Sequence, residues 1–101
     1  MKTTLLTAGS EPYAVTACVV CCGSDIAVVI GGGAAPHIGA VALASPRPSL
    51  KNNGASRFNT NVTVTVGLHL DEAGADDIAA LQQSLQQILH KVEAWLLAAQ
   101  A

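Results

Sequence analysis

The apolar positions in the first half of the chain come in short runs of small and β-branched residues. Residues 14–22 (AVTACVVCC) and 26–30 (IAVVI) are two such runs, and the Gly23–Asp25 stretch between them is typical of a tight turn. A third run extends from Ile38 to Ala44, whereas residues 3–7 are short and mixed in character. The pattern predicts a β-hairpin made by the first two runs, followed by a third strand.

Loop chemistry interrupts this pattern from residue 45 to residue 56 (SPRPSLKNNGAS). Each proline there removes a backbone donor and disfavours helix in the residue before it, so no central strand is expected. Residues 61–70 (NVTVTVGLHL) then alternate valine with threonine. Alternation with a period of two predicts a half-buried strand with one apolar face.

From about Gly74 to Ala98 the apolar spacing becomes that of an α-helix. The positions that share one face are Ile78, Leu81, Leu85, Ile88, Leu89, Val92 and Leu96, with glutamines and Lys91 opposite them. Such a helix is roughly 35 Å long, more than the strands, so we expect its last turn, with Trp95, to reach a neighbouring subunit. Strands followed by one long helix predict an α+β fold, a largely antiparallel β-sheet covered by one long C-terminal helix.

Composition narrows the class of protein. A chain of 101 residues predicts a single domain, 1–101, and its 50% apolar content favours a homodimer that covers part of this surface. The net charge of −2, without a basic run, argues against nucleic-acid binding. Residues 9–12 interrupt the N-terminus before a signal-peptide core could form, and no apolar run is long enough to span a membrane. A cytoplasmic protein is therefore expected.

Three cysteines raise the question of a metal or redox site. Cys18 and Cys21 have the C-x-x-C spacing, but side chains alternate along a strand. Cys18 and Cys22 should therefore lie on one face of the sheet and Cys21 on the other. This division predicts structural cysteines and no metal site.

The triple glycine at 31–33 allows two interpretations. Glycines permit positive φ and let backbone N–H groups approach an anion closely. Taken alone, they are more typical of a wide hairpin turn or bulge between two strands. A nucleotide-binding phosphate loop is excluded, because the motif's lysine is missing and Pro36 prevents a following helix.

Four further polar residues lie where predicted strands begin or end. Arg47 lies between two prolines, which stiffen the backbone around a side chain able to clamp phosphate or carboxylate; Ser49 follows it. His37 begins one predicted strand and His69 ends another. A single histidine is more often structural than a ligand, so Arg47 is the strongest of these candidates.

Two longer stretches resemble a known family. These are GGGAAPHIGAVALASPRPSL at 31–50 and VTVTVGLHLDEAGADDI at 62–78. They are similar to the small D subunit of gallate and related hydroxyaryl decarboxylases, the prenylated-flavin chaperone family. The resemblance covers residues 26–50 and 61–101.

The resemblance implies a non-catalytic accessory protein. Such a protein binds reduced prenylated FMN, or FMN itself, and delivers it to a UbiD-type decarboxylase catalytic subunit or helps that enzyme mature. The positions that would line the cofactor site, by motif match, are Gly31, Gly32, Gly33, His37, Gly39, Arg47, Ser49 and His69.

One departure from the family keeps alternatives open. Family members usually carry a further segment, about one strand and one helix long, between the PRPSL loop and the VTV strand, and this chain lacks it. The second hypothesis is a structural subunit of a decarboxylase complex that binds no flavin. The third is a small enzyme that uses His37 and His69 as acid and base.

Overall fold

In the part of the chain that the structure describes, the fold consists of strands followed by a long C-terminal helix. The computed structural model describes residues 1–33, 40–44 and 61–100, with the backbone alone for 40–44 and 100. Within these residues the elements are β1 (Lys2–Ala8), β2 (Val15–Cys22), β3 (Asp25–Gly33), β4 (Ala40–Ala44), β5 (Val62–His69) and α1 (Ala75–Gln100). The predicted α+β class is confirmed.

The strands form one sheet in the order β1-β2-β3-β5-β4. β2 and β3 pair as the predicted antiparallel hairpin, and Gly23 takes a positive φ of 60° in its turn. β5 lies between β3 and β4, parallel to β3 and antiparallel to β4. The sheet is therefore largely antiparallel, as predicted, but β3 and β4 are not neighbours. A hairpin turn between those two strands, one of the interpretations of the triple glycine, is wrong.

β1 includes residues 3–7, whose mixed pattern of apolar and polar residues did not predict a strand. It pairs with β2 along its whole length, from Lys2 opposite Cys21 to Ala8 opposite Val15. Leu6 packs against the core, while the next apolar side chain, Leu5, is 69% exposed on the opposite face. Because Leu5 and Leu6 are adjacent, apolar and polar residues do not alternate clearly along this stretch. The strand is recognised only through its pairing with β2.

The core lies between one face of the sheet and α1. Its buried members are Ala8, Val15, Ala17, Val19, Ile26, Val28, Ile30, Val62, Leu81, Ile88, Val92 and Leu96. Trp95, expected at a subunit contact, packs against this core, and the Lys2 ammonium lies 5.9 Å from the centre of its ring. The other face of the sheet is left without a helix in the part of the chain described.

The start of α1 is tied to the loop before β2. The Tyr13 hydroxyl donates to Asp77 Oδ1 at 2.6 Å, and the Gly74 N–H donates to Asp77 Oδ2 at 3.0 Å. A carboxylate three residues into a helix that accepts the N–H of the capping residue is half of a capping box. The hydrogen bond from Tyr13 is the main reason that the pKa of Asp77 is lowered, and the hydrogen bond from the Gly74 N–H lowers this pKa further. The same Tyr13–Asp77 hydrogen bond raises the pKa of the Tyr13 hydroxyl. With 26 residues α1 is about 39 Å long, and no helix of the described residues is apolar enough over a sufficient length to cross a membrane.

Candidate functional site

The structure brings together half of the residues that the sequence predicted for a site. In the parallel pairing of β3 with β5, Gly31 lies opposite Gly67, Gly32 opposite Leu68 and Gly33 opposite His69. The triple glycine and His69 are therefore neighbours at one end of the sheet. The other predicted site residues, His37, Gly39, Arg47 and Ser49, lie outside the described residues.

The triple glycine is the last part of β3, and two of its members are required by the sheet itself. A Cβ added to Gly32 would lie 2.7 Å from the Ala14 carbonyl oxygen and 2.8 Å from Val15 Cγ1. Gly33 has a φ of +80°, and a Cβ there would collide with the His69 carbonyl oxygen. Close approach of backbones within the sheet accounts for these two glycines.

The backbone donors of the triplet are used by the sheet. Gly31 and Gly32 lie between two paired strands, with β2 on one side and β5 on the other, where N–H groups bond to the ladder. The Gly33 N–H donates to the Ala14 carbonyl at 3.4 Å. The triplet therefore does not offer the free backbone N–H donors that an anion-binding loop needs.

What the triplet does provide is open space on the face of the sheet opposite α1. A groove of about 350 Å³, hereafter the glycine groove, is lined by Glu11, Ala14, Thr16, Cys18, Val29 and Gly31–Gly33. Because side chains alternate along a strand, Thr16, Cys18, Val29 and Gly31 share this face, opposite the core residues Ala17 and Ile30. The groove is therefore separate from the hydrophobic core.

The register explains the shape of the groove. One row across the strands runs Thr16, Gly31, Gly67, and the next runs Cys18, Val29, Thr65. Gly31 leaves a floor without a side chain, and Cys18 and Val29 of the second row form a step beside it. Val29 is 48% exposed on this step, an unusual position for a valine in a central strand.

His69 ends β5 beside the groove. Its Nε2 lies 2.9 Å from Asp71 Oδ1, and the imidazole is 46% exposed. A carboxylate at this distance orients the ring and forms an ion pair with it whenever the ring is protonated. Asp71 was not among the predicted site residues, although its position two residues after His69 made such a contact possible.

The cysteines lie as predicted on opposite faces. Cys21 packs against the core, whereas Cys18 lines the glycine groove. Among the described residues no group of three or more His, Cys, Asp or Glu side chains is placed to hold a metal ion. Cys18 is thus part of the groove surface. The sequence did not predict this position, because cross-strand neighbours are not adjacent in the chain.

Comparison with known proteins gives one family. The family model described as "Prenylated flavin chaperone LpdD-like domain" matches residues 9–60 and 49–97. The two stretches overlap at residues 49–60, where the sequence suggests that a segment is missing. A search of curated proteins found no match. Since the two stretches together run from residue 9 to residue 97, the chain belongs to the prenylated flavin chaperone LpdD-like domain family.

Proposed function

We propose that this protein is a non-catalytic accessory protein that binds reduced prenylated FMN and delivers it to a UbiD-type hydroxyaryl acid decarboxylase. The observation that carries the proposal is the family match over most of the chain. The glycine groove supports it, because it is a concave, mostly uncharged site on a rigid sheet, as small-molecule sites usually are.

The groove and the predicted loop residues have different parts in binding. Gly31, Val29 and Cys18 offer a surface that suits a planar ring. Arg47 is the predicted partner of the phosphate, because a guanidinium forms paired, charge-assisted hydrogen bonds with phosphate oxygens. His37, Gly39 and Ser49 remain predicted members of the site by motif match, with His69 beside the groove. The flavin takes part in the reaction of the decarboxylase, and this chain holds and shields the flavin before it is delivered.

Binding is tested by anaerobic gel filtration with reduced prenylated FMN, followed by measurement of flavin absorbance in the protein peak. Arg47→Ala should weaken binding by about 1.5–3 kcal/mol, the worth of a hydrogen bond to a charged group, or roughly 10- to 150-fold. Arg57→Ala is the matched control, since it removes the same charge outside the predicted site. Equal affinity of both variants would remove Arg47 from the site, and no binding by the wild-type protein would refute the proposal.

Delivery needs a second assay. Loaded protein is mixed with a flavin-free decarboxylase catalytic subunit, and decarboxylation is compared with that obtained from the same concentration of free cofactor. Faster activation by the loaded protein is expected. Stable co-purification with the catalytic subunit, without flavin absorbance or activation, would instead support a structural subunit.

The proposal includes a homodimer and a cytoplasmic protein. The exposed apolar side chains of β1 and α1, Leu5, Ile78, Leu89 and Leu97, are consistent with further burial by a second copy. Sedimentation equilibrium should give twice the chain mass of 10.2 kDa. A single-chain mass at micromolar concentration would contradict this part of the proposal.

A further inference from the structure

We propose that the glycine groove holds the flavin ring system and that the phosphate lies outside it. This inference rests on the proposed function. It gives the triple glycine a role different from both interpretations of the sequence, which were close approach to an anion and a turn or bulge between strands. Three observations support it: the size of the groove, its charge and its floor.

The size fits part of the cofactor. Sites for small molecules usually have volumes of about 300–1,000 Å³. The groove, at about 350 Å³, lies at the lower end of this range. It can take a planar ring system, whereas a ring with its ribityl chain and phosphate needs additional surface.

The charge of the groove disfavours phosphate. Among the described residues that line it, Glu11 is the charged side chain, and no Lys, Arg or His contributes. A phosphate dianion beside a carboxylate is repelled unless a cation is interposed. The N–H of Gly33 is already bonded to Ala14, so the triplet does not compensate for this repulsion.

The floor of the groove matches a flat ring. Gly31 lines the groove and has no side chain, so a planar group can lie directly on the backbone there. Val29 and Cys18 are cross-strand neighbours in the adjacent row and form an apolar step. We therefore assign these two side chains to contact the edge of the ring.

The cysteines allow a test in the unmodified protein. Iodoacetamide labelling of each cysteine is followed by mass spectrometry under anaerobic conditions, alone, with reduced prenylated FMN, and with inorganic phosphate. At a cofactor concentration ten times Kd, labelling of Cys18 should slow about tenfold. Cys22, which is exposed and does not line the groove, is the internal reference and should keep its rate. Phosphate should leave Cys18 unchanged.

A pair of variants tests the floor. Gly31→Val adds bulk to the groove and should weaken cofactor binding at least tenfold. Ala27→Val is the matched control, because Ala27 lies on the same strand and face but outside the groove, and it should leave affinity unchanged. Thermal unfolding of both variants establishes that they are folded.

The outcomes separate this inference from the proposed function. Absence of flavin binding would refute both. Cofactor binding with unchanged Cys18 labelling, or protection of Cys18 by phosphate alone, would overturn the groove assignment and leave the chaperone function standing. Protection by the cofactor alone, together with a loss of affinity in Gly31→Val but not in Ala27→Val, would establish it.

Discussion

Replacement of Gly33 by alanine tests directly whether the end of β3 is built on glycine. Gly33 has a φ of +80°, and its added Cβ would meet the backbone of His69 on the neighbouring strand. The left-handed conformation costs roughly 1–2 kcal/mol for a residue with a side chain. Displacement of packed backbone adds about 1–3 kcal/mol, as overpacking generally does. The free energy of unfolding should therefore fall by about 2–5 kcal/mol.

Gly23 provides a matched control for this prediction. It also has a positive φ, +60°, but an added Cβ would meet nothing within 4 Å. Gly23→Ala should therefore show the conformational cost alone, about 1–2 kcal/mol. The difference between the two variants measures the collision with β5.

Urea unfolding followed by far-UV circular dichroism gives both values. A domain of this size has a total stability of about 5–15 kcal/mol, so Gly33→Ala removes a large part of it. The melting temperature should fall by at least about 8 °C, from roughly 4–8 °C for each kcal/mol. If Gly33→Ala is no less stable than Gly23→Ala, the close approach of β3 and β5 at this residue is wrong.

Three further predictions concern the helix. Ile88→Ala should cost about 2–5 kcal/mol of stability in urea unfolding, because Ile88 is 0% exposed. Leu89, which the sequence placed on the same apolar face, is 45% exposed in the structure, so Leu89→Ala should cost clearly less. Equal losses would contradict the way in which α1 packs against the sheet. The pKa of Asp77 is lowered from its ordinary 3.8, so its stabilising contribution is present above that value and is lost as the pH falls through the lower folded value. The difference in melting temperature between wild type and Asp77→Asn should accordingly shrink in acid, and a gap that is constant with pH would refute this linkage. The pKa of Tyr13 is raised from 10.0, so the destabilisation caused by Tyr13→Phe should be full at neutral pH and should diminish only as the pH rises well above 10, which a melting series to high pH would check.

Part of the candidate site followed from local sequence and part did not. The motif match predicted Gly31–Gly33 and His69 as site residues, and the register shows that these residues are neighbours. Glu11, Thr16, Cys18 and Val29 carry no motif, and they line the groove only because β2 and the loop before it lie beside β3. A pattern along one strand predicts which side chains share a face, but it does not predict which strand supplies the next row.

The same distinction holds for the fold. Periodicity alone predicted α1, the β2–β3 hairpin, the alternation in β5 and the opposite faces of Cys18 and Cys21, since each depends on residues close together in the chain. The tertiary structure decided that residues 2–8 form a strand, that β5 lies between β3 and β4, and that the triple glycine continues β3 instead of turning. The physical reason is that a strand is completed by backbone hydrogen bonds to partners distant in sequence. The choice among partners depends on the packing of the whole sheet against the helix.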